Sequence, residues 1–223
     1  MDQKLFWTAM LKFLSGLLLV GVLLFLPAGT LAYRQGWLLL GILFVPMFIA
    51  GLVMMVKSPE LLRRRLNVKE EQTEQKQVIA LSALMFLAAF LLAGLNFRFG
   101  WIVLPDAVSW AAALVFLLAY ALYAEVLREN VWLSRTVEVQ AHQTVVDTGL
   151  YGIVRHPMYA ATIFLFLSMP LVLGSLPSFA VMLLYLPIIA RRIRNEEAVL
   201  EQGLAGYSDY KKRVKYRMIP GIW

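Results

Sequence analysis

Six apolar stretches, at approximately residues 10–32, 37–56, 78–97, 107–127, 157–173 and 177–190, leave this chain few ways to fold in water. A transmembrane helix needs roughly 17–25 largely apolar residues. The first four stretches meet that length and the last two fall near or below it. The composition agrees: 61% of residues are hydrophobic, 16% are charged and the mean hydropathy is +0.71. Soluble domains average roughly 45–50% apolar and about 25% charged. In hydrocarbon every backbone polar group must be satisfied internally, which a helix does within one segment. The expected fold class is therefore an all-α integral membrane protein with about six membrane-embedded helices. The last two form a short helical hairpin around GSLPS (174–178), and a cytoplasmic C-terminal helix follows. Pro27, Pro46, Pro170 and Pro187 fall inside or at the ends of these stretches, where neighbouring helices can re-satisfy a freed carbonyl.

Basic residues fix the expected orientation. With the N-terminus inside and six alternating spans, 19 of the 21 Lys and Arg fall on the inner side, and only Arg34 and Arg98 fall outside. Lys and Arg in short loops are retained on the cytoplasmic side, so a multi-pass protein with both termini cytoplasmic is expected. The +7 net charge follows from this topology and does not call for nucleic acid. Lys4 and AGTLA (28–32) give the first stretch a faint likeness to a signal peptide, but its length fits an uncleaved helix better. Cysteine is absent, which excludes disulfides, Cys-ligated metal and thiol nucleophiles. No Gly-rich nucleotide loop, HExxH or GxSxG pattern occurs, and no metal site is expected.

Polarity divides the chain at about residue 127. Residues 1–127 read as a four-helix transmembrane region whose one sizeable loop, KSPELLRRRLNVKEEQTEQKQ (57–77), reads as an interfacial linker helix with Ser58, Pro59 and Glu60 at its start. Residues 128–223 carry two polar pieces flanking the hairpin, 127–159 and 190–223.

In the first piece, TVVDTGLYGIV reads as an extended segment and a turn, and Pro157 suits the first position of a helix. The free N–H groups of that helix start, with His156 and Tyr159 on its rim, could receive an anion or hydroxyl. Equally, Arg155 and His156 could extend toward lipid head groups with Tyr159 in an aromatic belt. In the second piece, Arg192 and Glu196 are four apart and share a helix face. They are either a surface ion pair or a charged pair converging on the same rim. The tail YSDYKKRVKYRMIPGIW mixes three tyrosines with five basic residues. It reads as an interfacial amphipathic helix or a lid over the site.

GLYGIVRHPMY, the short hairpin, RRIRNEEAVL and the tail together resemble the integral-membrane methyltransferases of the isoprenylcysteine carboxyl methyltransferase family and their phospholipid-methylating relatives. The resemblance covers residues 136–223. It implies an S-adenosylmethionine-dependent enzyme, releasing S-adenosylhomocysteine, with its active site at the cytoplasmic membrane face. By the same resemblance the cofactor is held by Gln140, Gln143, Thr144, Val145, Val146, Tyr151, His156, Pro157, Met158, Tyr159 and Glu196, and Arg192 serves the substrate. Ala161 stands where the family often has Gly, and Gln143 where a His is common, with His142 one position away.

The implied reaction is methyl transfer to a lipophilic acceptor that enters from the bilayer, most simply a carboxylate of isoprenylcysteine type. A carboxylate is ionised at neutral pH and needs no base. A phospholipid amine would need Glu197, His156 or solvent to take its proton, so no catalytic residue is assigned. Two other classes remain open: a nicotinamide-dependent membrane reductase, and a non-enzymatic membrane scaffold or small transporter.

Overall fold

The computed structural model describes residues 3–67, 73–134 and 136–223. The middle of the 57–77 loop and Arg135, one of the basic residues in the topology argument, lie outside the described residues. The helices among the described residues are α1 (Gln3–Ala28), α2 (Arg34–Lys57), α3 (Pro59–Leu66), α4 (Thr73–Phe99), α5 (Asp106–Glu129), α6 (Pro157–Val172), α7 (Leu176–Met182), α8 (Tyr185–Gly203) and α9 (Tyr207–Arg213). A short 3-10 turn, Gly149–Gly152, precedes α6.

Five segments are long and apolar enough to cross a membrane: α1, α2, α4, α5 and the α7–α8 rod, Leu176–Gly203. Their outer faces carry apolar side chains open to the surroundings, such as Leu18, Leu26 and Trp110 at 69%, 75% and 65% exposure. Apolar surface this extensive belongs in lipid. The sequence suggests six embedded helices; among the described residues five segments reach spanning length, and α6 is a shorter apolar helix. With 16 residues, α6 reaches only about 24 Å, less than the roughly 30 Å hydrocarbon core. The stretch at 177–190 is part of a longer rod that runs on through RRIRNEE. Its one interruption, at Leu183–Leu184, has a local cause: Pro187 offers no N–H to the carbonyl of Leu183, and its ring crowds that carbonyl.

Close packing fixes one end of the bundle. Gly94 lets α4 press on α1, since a Cβ there would lie 2.5 Å from the Leu24 carbonyl oxygen. Tyr33 is fully buried, stacks on Phe97 at 4.3 Å and donates its hydroxyl to the Leu173 carbonyl at 2.6 Å. Leu104 N–H donates to the Gly174 carbonyl at 2.9 Å, tying the α4–α5 connection to the α6–α7 turn.

Polar contacts gather at the other end. Lys12 Nζ donates to the Leu66 carbonyl, and Arg64 Nη1 to the Val131 carbonyl at 2.8 Å. Arg191 Nη2 donates to Gln77 Oε1 at 3.1 Å. Lys12, the 57–77 loop and the polar pieces 127–159 and 190–223 therefore meet at a single end of the bundle. There α6 and α8 run antiparallel, with Thr162 Oγ1 2.8 Å from the Tyr185 hydroxyl and Tyr159 against Arg192.

Candidate active site

The site is built on the turn before α6. Glu129, the last residue of α5, accepts the Leu150 N–H at 3.0 Å through Oε2. Gly149 makes this possible: its φ is +53°, and a Cβ at that position would fall onto the Glu129 carboxylate. Gly149→Ala therefore has to displace Glu129 and adopt left-handed backbone, a strain of about 1–3 kcal/mol. The expected result is a lower melting temperature in detergent and a disturbed Tyr151, two residues on. Unchanged melting would contradict this role for the turn.

Residues 155 and 156 then meet the tail through their backbone. Arg155 N–H donates to the Tyr216 carbonyl at 3.0 Å and His156 N–H to the Arg217 carbonyl at 2.7 Å. Arg155 Nη1 also donates to the carbonyls of Val214 and Lys215, at 2.6 and 2.8 Å. Beneath this strap lies Glu197, 3% exposed. Its Oε1 accepts from Arg155 Nε at 2.7 Å and from His156 Nε2 at 3.2 Å, and its Oε2 accepts from Arg217 Nε at 2.8 Å. A carboxylate only accepts, so His156 carries its proton on Nε2 when neutral and leaves Nδ1 as the acceptor nitrogen. Arg217 also lies over the Trp223 ring, 5.2 Å from its centroid.

One residue earlier on α8, Glu196 faces the other way, into an open pocket of about 840 Å³ including its mouth. Tyr159 donates its hydroxyl to Glu196 Oε2 and accepts from Arg192 Nε at 2.9 Å. Arg192 Nη1 in turn donates to Gln75 Oε1 at 3.0 Å. The i, i+4 pair read from the sequence is thus bridged by a tyrosine from α6 and braced by a glutamine from α4.

Ten of the twelve residues singled out from the sequence line this pocket: Gln143, Thr144, Val145, Val146, Tyr151, His156, Met158, Tyr159, Arg192 and Glu196. The other two lie elsewhere. Gln140 clamps the loop from behind, donating Nε2 to the Trp132 carbonyl at 2.6 Å while its N–H meets Gln143 Oε1 at 2.9 Å. Pro157 is fully buried and faces a separate apolar cavity with Leu122, Ile153, Ala160 and Phe164. His142 is exposed, and Gln143 takes the inward position. The start of α6 is partly closed on itself, because the Tyr159 N–H donates to the His156 carbonyl at 3.1 Å.

Sequence reasoning missed several contributors. The 57–77 segment looked like a plain linker, yet Arg64 lies 5.5 Å from the centroid of Trp132, a pocket residue, and Arg65 donates to the Tyr123 hydroxyl and lies 3.9 Å from Met158 Sδ. Glu197, a candidate proton acceptor for an amine, is committed to three donors and lies outside the pocket lining. Burial pushes the phenols of Tyr151, Tyr207 and Tyr210 well above their ordinary pKa. All three remain protonated at neutral pH.

Residues 110–202 match the isoprenylcysteine carboxyl methyltransferase (ICMT) family. A solved structure of the eukaryotic intramembrane Ras methyltransferase ICMT superposes with a TM-score of 0.58 over 96% of this chain and 77% of that one; at 19% identity the likeness is one of fold. The Delta(14)-sterol reductase of Mus musculus is 30% identical over 91 residues, 40% of this chain. That match spans about a fifth of the reductase's length, 22%.

Proposed function

From the match of residues 110–202 to the isoprenylcysteine carboxyl methyltransferase family, we propose that this protein transfers a methyl group from S-adenosylmethionine to a carboxylate on a lipophilic, membrane-embedded acceptor of isoprenylcysteine type. The observation that carries the reading is the Arg192–Tyr159–Glu196 relay, which sets one acid and one base side by side on the wall of a pocket built by the family-matched segment.

The pocket's chemistry fits the cofactor. Glu196 offers a carboxylate to an ammonium group or a ribose diol, and the aromatic faces of Tyr151 and Tyr159 suit a sulfonium cation. Gln143, Thr144, Val145, Val146, His156 and Met158 complete the wall around it. When bound, S-adenosylmethionine supplies an electrophilic methyl group that needs no covalent help from the protein.

The chain's own contribution is positioning and charge. Arg192 is placed to hold the acceptor carboxylate by a charge-assisted contact, and its other contacts to Tyr159 and Gln75 keep the guanidinium from swinging. The acceptor's apolar tail lies among the helices. The pocket opens at the cytoplasmic face, because the end where the basic stretches meet is the end the positive-inside rule assigns there.

A second reading has one observation in its favour, the match to the Delta(14)-sterol reductase. A nicotinamide dinucleotide brings phosphates, which call for available cations. Among the described residues two guanidinium groups line the pocket, and Arg155 is already committed to Glu197 and two carbonyls. The carboxylate of Glu196 on the same wall suits the cationic sulfonium cofactor better than a phosphate-bearing one.

The test is an incubation of detergent-purified protein with tritiated-methyl S-adenosylmethionine and a prenylated cysteine bearing a free carboxylate. Alkali-labile label on the acceptor is expected, as a methyl ester gives. Alkali-stable label on phosphatidylethanolamine would instead establish amine methylation. NADPH oxidation with a sterol substrate and no methyl transfer would replace the proposal with the reductase.

A further inference from the structure

The pocket has two ends of different character. Glu196, Tyr159 and Arg192 make one end polar. The other is closed by Val145, Leu200, Leu204 and Tyr207, part of an apolar cluster that also holds Tyr210 and Val214. Tyr207 stands out within it. The residue is 4% exposed, and its hydroxyl is buried without any hydrogen-bond partner. Three residues on, Tyr210 is as deeply buried, but its hydroxyl donates to the Tyr151 carbonyl at 2.8 Å. Buried hydroxyls are normally satisfied, and one left unpaired on a residue that lines a pocket calls for a partner that arrives with a ligand.

We propose that Tyr207 reads the adenine ring of the bound cofactor, its O–H donating to a purine ring nitrogen while Val145, Leu200 and Leu204 hold the flat faces. The inference rests on the reading of the pocket as an adenosyl site. A purine matches this end in both respects. Its faces are apolar enough for a Val/Leu/Tyr enclosure, and its ring nitrogens are acceptors, which an O–H donor needs. The amino-acid end of the cofactor then reaches Glu196 at the polar end. The unsatisfied hydroxyl is a cost of the empty site that ligand binding removes, so the hydroxyl serves cofactor affinity while the buried ring serves the apolar cluster.

That reasoning gives the Tyr→Phe substitution opposite signs at two neighbouring positions. Tyr207→Phe and Tyr210→Phe are compared with wild type by thermal unfolding without ligand and by titration with S-adenosylhomocysteine. Tyr207→Phe is expected to melt at or above wild type and to bind S-adenosylhomocysteine about three- to tenfold more weakly. Tyr210→Phe loses a made hydrogen bond and is expected to melt lower. Equal S-adenosylhomocysteine affinity for Tyr207→Phe and wild type would overturn the inference while leaving the adenosyl site standing. No binding by wild type would remove the adenosyl site itself, and the inference with it.

A second measurement needs no variant. Among S-adenosylhomocysteine analogues with N1, N3 or N7 replaced by CH, one is expected to lose affinity for wild type by the same factor. Equal binding of all three would also overturn the assignment.

Discussion

Replacing Glu197 with alanine is expected to lower the stability of the protein by about 3–5 kcal/mol, the cost of stranding buried charge. The carboxylate is the single acceptor on which Arg155, His156 and Arg217 converge, and the side chains of Arg155 and Glu197 are only 4% and 3% exposed. Without it the guanidinium groups of Arg155, 4% exposed, and Arg217, 28% exposed, face each other with no shared acceptor between them. The strap between residues 155–156 and 216–217 would open to relieve the repulsion. Because that strap backs the pocket, S-adenosylhomocysteine binding should fall with stability. Glu197→Gln keeps the shape but presents an amide N–H₂ to an arginine, so the same sign is expected at smaller size. The control is Glu201, whose contact with Lys211 is partly exposed on both sides, at 36% each. Surface pairs of this kind contribute about 0–1 kcal/mol, so Glu201→Ala should unfold almost as wild type does. Equal melting of the Glu197 and Glu201 variants would contradict the buried-cluster account.

The adjacent residue should give the opposite phenotype. Glu196→Gln is expected to fold as wild type does and to bind S-adenosylhomocysteine roughly ten- to a hundredfold more weakly. A hydrogen bond to a charged group contributes about 1.5–3 kcal/mol, and each 1.4 kcal/mol is about tenfold in affinity. Glu196 lines the open pocket and is held from behind by Tyr159, so losing its charge strands nothing in the interior. Arg192→Ala, at the far end of the same relay, should act mainly on the acceptor, raising its KM more than it weakens S-adenosylhomocysteine. If Glu196→Gln binds S-adenosylhomocysteine with wild-type affinity, the carboxylate is not a cofactor ligand and the site assignment fails.

That contrast marks where the sequence stops being legible. Two glutamates side by side on a helix point about 100° apart, but which of them meets the pocket depends on where the tail docks. Arg217, twenty residues away, decides it by claiming Glu197. Nothing local announces that contact. The same limit explains Gln75, which looked like part of a charged linker and is fully buried against Arg192. Arg64 and Arg65 likewise sit in a run of arginines whose pattern suits lipid head groups equally well. Each of these contacts joins residues at least 58 positions apart, except the Glu197–Arg217 pair.

Local chemistry was read more fully. The apolar stretches mark the long helices, Pro157 begins α6, and the β-branched run before Gly149 gives the extended wall and turn. Pro157 itself was misplaced because a residue at a helix start can face either side, and the turn aims this one into the apolar cavity. The sixth stretch was cut short because its polar continuation, RRIRNEE, reads as a boundary in hydropathy although the helix does not end there.

The most direct test of the central claim is calorimetric titration of folded, detergent-solubilised wild-type protein with S-adenosylhomocysteine. Saturable binding at a single site, weakened by Glu196→Gln, is the predicted result. No binding heat across temperatures, from protein shown to be folded, would contradict it.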